Sequence, residues 1–241
     1  MRDPYLYKDV DVMKNKFEIK DIKKLNFIES QIVPSKLLDI NKYIDGEFDI
    51  QKLKDIHEHI FCDIYGWAGQ FRKINIEKPE KVLNGLSVEY SDYNNLQKDI
   101  ENILNKLNKI EWGELSLNSI AEKLSKLSAE LWKVHPFREG NTRVTITFTE
   151  LFANSKGIEM DRELLKANSG YVRNALVMAS IGEYSEYNYL INIIKDSIKD
   201  IPKNKNINKD IVKDDFMKEY LEKQRRKCIN HTRKKSKDIE R

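Results

Sequence analysis

The chain has 241 residues, of which 40% are apolar and 34% are charged. This composition excludes collagen-like and intrinsically disordered proteins, and the length suits one sizeable domain with an appendage. No apolar run approaches the roughly 20 residues of a membrane-spanning helix, and the first residues lack a signal-peptide pattern. Cys62 and Cys228 are too far apart in sequence to suggest a disulfide framework or a metal cluster. We therefore expect a soluble, reduced protein of the cytoplasm with no membrane partner.

Apolar residues at helical spacing dominate the chain from residue 49 onwards. Asp49 is of the residue types that cap helix N-termini, and Leu53, Ile56 and Ile60 follow it on one helix face. Similar stripes lie within residues 96–107, 120–131, 144–152, 171–178 and 189–198. Gly157 is a natural stop for the 144–152 segment. The pattern predicts a mostly helical domain.

One region departs from helical spacing. Residues 71–76 alternate as a strand does, and Asn84-Gly85 is a two-residue hairpin signal between 81–83 and 86–88. A hairpin on a helical body either covers part of the core or forms a flap over a site. The pattern leaves both interpretations open.

The C-terminal segment differs from the rest of the chain in charge. Residues 202–241 contain 14 Lys and Arg against 7 Asp and Glu, whereas the whole chain carries only +4. Pro202 marks the boundary, so we predict a domain at 1–201 and a basic tail, partly helical or disordered, at 202–241. Such a tail is typically a solvated end; a nucleic-acid contact or a secretion signal is the alternative.

The loop between the third and fourth of these helices carries the most chemistry. Residues 135–143 read HPFREGNTR, a junction that Pro136 and Gly140 should turn sharply. A glycine turn that leads into a helix N-terminus is a potential anion site. The side chains around it supply a candidate base, metal ligand, polar clamp and phosphate clamp, namely His135, Glu139, Asn141 and Arg143.

The pattern H-x-F-x-x-G-N-x-R in this loop resembles the signature of the Fic family. Residues 12–19 (VMKNKFEI) and 61–72 (FCDIYGWAGQFR) are similar to two further segments of that family. The resemblance extends over about residues 5–195 in matching order. It implies the Fic fold, which is all-α with a short β-hairpin flap beside the active-site loop.

The resemblance also implies an activity, the transfer of AMP from Mg-ATP to a Ser, Thr or Tyr hydroxyl of a target protein. His135 would be the general base and Glu139 would hold Mg²⁺. The ATP phosphates would be bound by Gly140, Asn141, Thr142 and Arg143, with Phe137 packed inward. The flap residues that would dock the target are Ile74, Asn75, Ile76, Leu83, Asn84 and Gly85.

Two positions depart from the family's usual pattern. Thr142 stands where a glycine is common, and Ile146 where many members carry a second arginine that grips the γ-phosphate. The chain has no convincing inhibitory helix motif of the form [ST]-x-x-x-E-[GN]. By family logic, this favours either a separate antitoxin that carries the inhibitory helix, or an effector injected into another cell.

Two other functions stay open from the residues alone. A Doc-type member would transfer the γ-phosphate as a protein kinase, although the Glu139-Gly140 pair argues against it. A weakly active Fic fold would serve as a binding module with the basic tail as its contact surface, and Ile146 keeps this alternative open.

Overall fold

The computed structural model describes residues 3–43 and 46–201. Its helices follow one another as α1 (Ile22–Leu38), α2 (Ile40–Tyr43), α3 (Ile50–Phe61), α4 (Leu96–Leu107), α5 (Leu117–Val134), α6 (Asn141–Ser155), α7 (Arg162–Ala167), α8 (Ser169–Met178) and α9 (Asn188–Ser197). Two short strands, β1 (Glu159–Met160) and β2 (Ile198–Asp200), pair antiparallel. The predicted helical fold is confirmed, but its small β element is this sheet and not the predicted hairpin flap.

Helix α5 forms the centre of the core. It packs against α4, α6, α8 and α9. Its predicted apolar stripe, which includes Ile120, Leu124 and Leu131, is at most 4% exposed. Burying an aliphatic side chain of this size is favourable by about 1.5–3 kcal/mol, so the stripe fixes which face of α5 points inward. This rigid packing holds the C-terminal end of α5, where the motif loop begins.

Short polar side chains define where several helices start. The Asp49 carboxylate accepts the Lys52 backbone N–H at the start of α3, as predicted. Ser116 caps α5 in the same way through the Ser119 N–H. These bonds satisfy N–H groups that a helix leaves unpaired in its first turn. Helix α6 differs, since it begins after Gly140 with no side-chain cap.

The predicted hairpin is the part of the fold that the sequence analysis got wrong. Within the described residues, 71–76 and 86–88 form no regular strand, and Lys81–Leu83 is a 3-10 helix. The Asn84-Gly85 turn itself is present, with positive φ at both residues (55° and 93°). Its bonds are local, because the Gly85 N–H donates to the Glu80 carbonyl. Pro79 also removes a donor that a cross-strand ladder would need.

The described residues end at Ile201, so the predicted basic tail and its boundary at Pro202 lie outside them. The division into 1–201 and 202–241 stays a prediction. None of the helices within 3–43 and 46–201 combines the length and apolar character of a membrane span.

A buried arginine joins the extended 71–76 segment to the end of α5. The Arg72 side chain is 2% exposed. Its guanidinium donates to the carbonyls of His135 (2.8 Å), Ile74 (2.7 Å) and Ser91. Its backbone N–H donates to the Pro136 carbonyl at 2.8 Å. Arg72 thus holds the backbone carbonyls of the first two residues of the motif loop.

The substitution Arg72→Ala should therefore be unusually destabilising. It removes a buried cation and leaves several buried carbonyls without their donor, which typically costs about 2–4 kcal/mol. Lys20→Ala, which removes an exposed ion pair with Asp9, should reduce the stability far less, because solvent screens an exposed pair. Urea unfolding of both variants measures this difference. Equal losses would show that Arg72 does not support the loop.

Candidate active site

The imidazole of His135 is fixed by the end of α5. His135 is the C-cap of that helix, with φ 51° and ψ 55°, a left-handed conformation that is uncommon for a residue other than glycine. Its Nδ1 lies 3.2 Å from the carbonyl oxygen of Trp132. The ring stacks on Tyr90, with 4.0 Å between centroids. Because a carbonyl oxygen only accepts, Nδ1 carries the proton and Nε2 keeps its lone pair.

The surroundings of His135 keep the ring neutral. The side chain is 1% exposed, and burial lowers its pKa well below the ordinary value, with the positive charge of Lys78 acting in the same direction. Its Nε2 is buried and has no hydrogen-bond partner among the described residues. A buried, unpaired imidazole nitrogen with a lone pair is poised to accept a proton from a bound group.

The carboxylate of Glu139 is held between two donors. Its Oε2 lies 2.9 Å from Nζ of Lys78, and its Oε1 accepts the Gly140 N–H at 3.1 Å. Burial alone would raise the pKa of Glu139, but Lys78 and the N–H bond outweigh this effect and lower the pKa to about 2. Glu139 is therefore ionised at neutral pH and suitable as an oxygen ligand for a cation.

The amide of Asn141 is used within the loop. Its Oδ1 accepts the Phe137 N–H at 2.9 Å, and its Nδ2 donates to the Phe137 carbonyl at 2.7 Å. Phe137 is fully buried, as the family resemblance implies. The two bonds brace the turn across four residues. The described contacts of Asn141 therefore support the loop, and its predicted contact with phosphate stays a prediction.

A glycine is required at position 140 because of the backbone conformation there and because no space is left for a side chain. Its φ is +81°, and a Cβ atom built at this position would lie 2.3 Å from Cε2 of Phe61. No other residue fits such a site without displacing the ring. The close approach brings the start of α6 against α3.

The first turn of α6 carries the other two predicted phosphate ligands. Thr142 accepts the Trp132 indole N–H through its hydroxyl at 2.9 Å. Arg143 lies with its guanidinium carbon 4.7 Å from the centroid of the Phe61 ring, and its Nη1 is 3.0 Å from a carboxylate oxygen of Glu29. Because α6 has no side-chain cap, its first N–H groups remain available to an anion.

Ile146, one turn further along α6, faces a cavity of about 230 Å³ between α1, α6, α7 and α8. The cavity wall is mainly apolar and includes Pro34, Leu37 and Val172, with Arg143 at one side. The structure thus places an aliphatic side chain in an apolar setting at the position where many Fic proteins carry a second arginine.

The predicted docking residues fall into two groups. Ile74, Asn75 and Ile76 lie beside the motif loop, and Asn75 donates to Asp92 and accepts the Tyr93 N–H. Two open depressions border residues 75–77, one of them reaching Arg138. Leu83, Asn84 and Gly85 form the exposed turn beyond them.

Several residues that contact the motif carry no signal in the sequence. Lys78 lies between the two segments interpreted as strands, where its charge had no evident partner. Tyr90 and Glu29 contact His135 and Arg143 from segments distant in sequence.

His57 supports the loop from α3. Its Nδ1 accepts the Gly69 N–H at 2.8 Å, so Nε2 carries the proton and donates to the Glu139 carbonyl at 3.2 Å. The ring stacks on Phe137, with 4.0 Å between centroids. Burial lowers the pKa of His57 to about 3.

The neutral state of His57 predicts a pH dependence of stability. An unfolded histidine binds a proton below about pH 6.5, whereas folded His57 stays neutral down to about pH 3. The unfolding free energy should therefore fall as the pH is lowered from 6 to 5, by up to about 1.4 kcal/mol per unit for each such histidine.

Urea unfolding at pH 5, 6 and 7, in the absence of metal and nucleotide, measures this slope. Relative to the wild-type protein, His57→Gln should lower the slope by the amount that one bound proton contributes. An unchanged slope in His57→Gln would contradict the assignment.

Comparisons with known proteins point to one family. The model of the Fic/DOC family matches residues 47–153. The probable protein adenylyltransferase y4lH of Sinorhizobium fredii is 30% identical over 176 residues, which cover 69% of this chain and 83% of y4lH. The protein adenylyltransferase VbhT of Bartonella schoenbuchensis is 28% identical over 184 residues, 76% of this chain but 36% of VbhT.

The fold is also that of solved Fic-domain structures. BepC of Bartonella tribocorum, a VirB-translocated effector solved with bound AMPPNP, superposes with a TM-score of 0.68 at 23% identity, over 80% of this chain and 95% of BepC. The Fic domain of Bep8 from Bartonella sp. 1-1C gives a TM-score of 0.67 at 22% identity, over 80% and 94%. The sequence match and the shared fold show that the chain belongs to the Fic/DOC family.

Proposed function

We propose that the protein is an adenylyltransferase that moves AMP from ATP to a hydroxyl side chain of a target protein. The observation that carries the proposal is the buried, neutral His135, whose Nε2 lone pair has no hydrogen-bond partner among the residues that the structure describes. It lies in the same loop as an ionised carboxylate and an uncapped helix N-terminus. VbhT and y4lH are named as adenylyltransferases or probable ones, which supports the same activity here.

The chemical step assigns a role to His135. Its Nε2 removes the proton from a Ser, Thr or Tyr hydroxyl as that oxygen attacks the α-phosphorus of ATP. The bond between the α-phosphorus and the bridging oxygen breaks, and pyrophosphate leaves with the electron pair. A base that is neutral at pH 7 and fixed in one tautomer suits this step.

The start of α6 would bind the phosphates of ATP. Arg143 offers the donors of its guanidinium that face away from Glu29, and the first turn of α6 offers N–H groups. We assign Asn141 to holding the loop in shape, because both ends of its amide are bonded to Phe137. Ile146 offers no charge to a γ-phosphate, so the α- and β-phosphates carry most of the recognition.

Glu139 is the residue that would hold Mg²⁺. The fit is good, because its carboxylate is ionised and Mg²⁺ usually takes one or two carboxylates together with substrate phosphates. Within the described residues there is no group of three acidic, His or Cys side chains that would bind the ion alone. Bound there, Mg²⁺ would neutralise charge on the phosphates. Lys78 supplies a positive charge to Glu139 from the segment beside the loop.

The target protein would dock along residues 75–77. Within the described part of the chain, these residues make no main-chain hydrogen bond to other backbone, and depressions lie beside them. An extended peptide can pair with such a segment as an added strand and present its hydroxyl. Ile74, Leu83, Asn84 and Gly85 would border the same track.

The biological setting is a further part of the proposal. A separate antitoxin with an inhibitory helix, or translocation into another cell as an effector, fits a chain without a convincing inhibitory motif. The titles of BepC and Bep8 describe translocated effectors, which supports the second setting. A nucleic-acid contact would involve the tail, which lies outside the described residues.

Labelling a cell lysate with ATP that carries radiolabel at the α- or the γ-phosphate tests the transfer. Wild-type protein with Mg²⁺ should label target bands from the α-position only. His135→Ala should reduce the labelling at least about a hundredfold, as loss of a general base does. His59→Gln is the matched control and should label like wild type.

Each other outcome has a definite meaning. Label from the γ-position alone would make the protein a Doc-type kinase and contradict the proposal. Absence of label from a protein that still binds ATP would favour the binding module. Unreduced labelling by His135→Ala would remove His135 from the mechanism.

A further inference from the structure

Glu29 of α1 contacts Arg143 of the motif loop, although the two residues are 114 positions apart in sequence. Asp21 caps this helix by accepting the N–H groups of Lys23 and Lys24. Leu25 and Val33, one turn before and one turn after Glu29, are 1% and 5% exposed. The Glu29 side chain lies on the same inward face and is 14% exposed. The packing of α1 therefore determines where the carboxylate stands.

Each oxygen of this carboxylate has its own partner. Oε2 lies 3.0 Å from Nη1 of Arg143, and Oε1 accepts the hydroxyl of Tyr65. Tyr65 is 2% exposed and stacks on Trp67, with 4.5 Å between ring centroids. Burial and the charge of Glu29 raise the pKa of Tyr65, so the hydroxyl stays protonated and remains a donor.

The same contacts restrict Arg143. The Phe61 ring lies under its guanidinium at 4.7 Å, and Glu29 takes one nitrogen. The Phe61 ring is itself fully buried and packs closely against Gly140. In residues 3–43 and 46–201, the Nε and Nη2 groups of Arg143 have no acceptor. The guanidinium is thus held in one orientation, and its Nε and Nη2 N–H groups remain available to a ligand.

We propose that Glu29 is a positioning residue, which with Tyr65 and Phe61 orients Arg143 so that its open donors face a phosphate of ATP. The inference rests on the proposed function, in which Arg143 binds phosphate. An arginine side chain loses rotamer freedom when it binds an anion, and prior alignment of its planar fork reduces that loss. The carboxylate would therefore increase the affinity for ATP despite its negative charge.

The contrary reading is that Glu29 competes with phosphate for Arg143. Two observations weigh against it. The Glu29 carboxylate occupies only one nitrogen of the guanidinium. Its second oxygen accepts the Tyr65 hydroxyl, and α1, which carries Glu29, is held in place by buried residues. To leave Arg143, it would have to separate from a buried hydroxyl that would then lack its acceptor.

The affinity of the full chain for ATP, measured by calorimetry, distinguishes the two readings by sign. Plain electrostatics predicts tighter binding of a polyanion when a carboxylate is removed. Positioning predicts that Glu29→Ala weakens binding about tenfold, as loss of a charged hydrogen bond does. Glu29→Gln, which keeps the shape and an acceptor, should weaken it only about two- to threefold. Glu101→Ala, an exposed glutamate on α4, is the matched control.

A double-mutant cycle separates positioning from general structural damage. In the Arg143→Ala background, Glu29→Ala should change the ATP affinity by less than about twofold, because its effect acts through Arg143. If Glu29→Ala does not fold, Tyr65→Phe removes only the hydroxyl and should weaken binding about threefold in the same direction.

Several results would overturn the inference. Tighter ATP binding by Glu29→Ala would exclude a positioning role. So would independent losses of ATP affinity from Glu29→Ala and Arg143→Ala that multiply in the double variant. Weaker binding in Arg143→Ala with unchanged binding in Glu29→Ala would refute the inference and leave the proposed function intact. A wild-type protein that does not bind ATP would refute both.

Discussion

The site depends on one backbone feature, the left-handed turn at His135 where α5 ends. This conformation is costly for a residue with a side chain, so surrounding groups must hold it. Arg72 supports its carbonyl, and the Trp132 carbonyl accepts its imidazole N–H. The same turn ends the helix and selects the tautomer. Without it, Nε2 would neither keep its lone pair nor lie in a fixed place.

The loop that follows is built so that every charge has a partner. Glu139 is matched by Lys78, and Arg143 by Glu29. Isolated buried charges would be expensive, whereas paired charges with further hydrogen bonds are tolerated. The partners come from different segments, the 71–80 region and α1. This arrangement keeps a carboxylate ionised and an arginine aligned in a partly buried site, as phosphate chemistry requires.

The sequence was informative wherever the signal is local. Helical periodicity located most of the helices after residue 49 but missed α1 (Ile22–Leu38). The Asp49 cap was correct, and the loop motif identified residues that the structure brings together at one site. Pairings between distant segments carried no such signal. His57 meets the Glu139 carbonyl across 82 residues, and Glu29 meets Arg143 across 114. The hairpin prediction failed for a related reason. The Arg72 backbone N–H donates to the Pro136 carbonyl and Pro79 has no N–H, so neither is available for strand pairing.

The central claim is that His135 is a neutral base with its proton on Nδ1, and nitrogen NMR of the imidazole tests it most directly. In ¹⁵N-labelled protein, the two-bond correlations of the His135 ring identify which nitrogen is protonated. The account predicts a neutral ring with the proton on Nδ1 throughout pH 6 to 8. A ring protonated at both nitrogens at pH 6, or a neutral ring with its proton on Nε2, would contradict it.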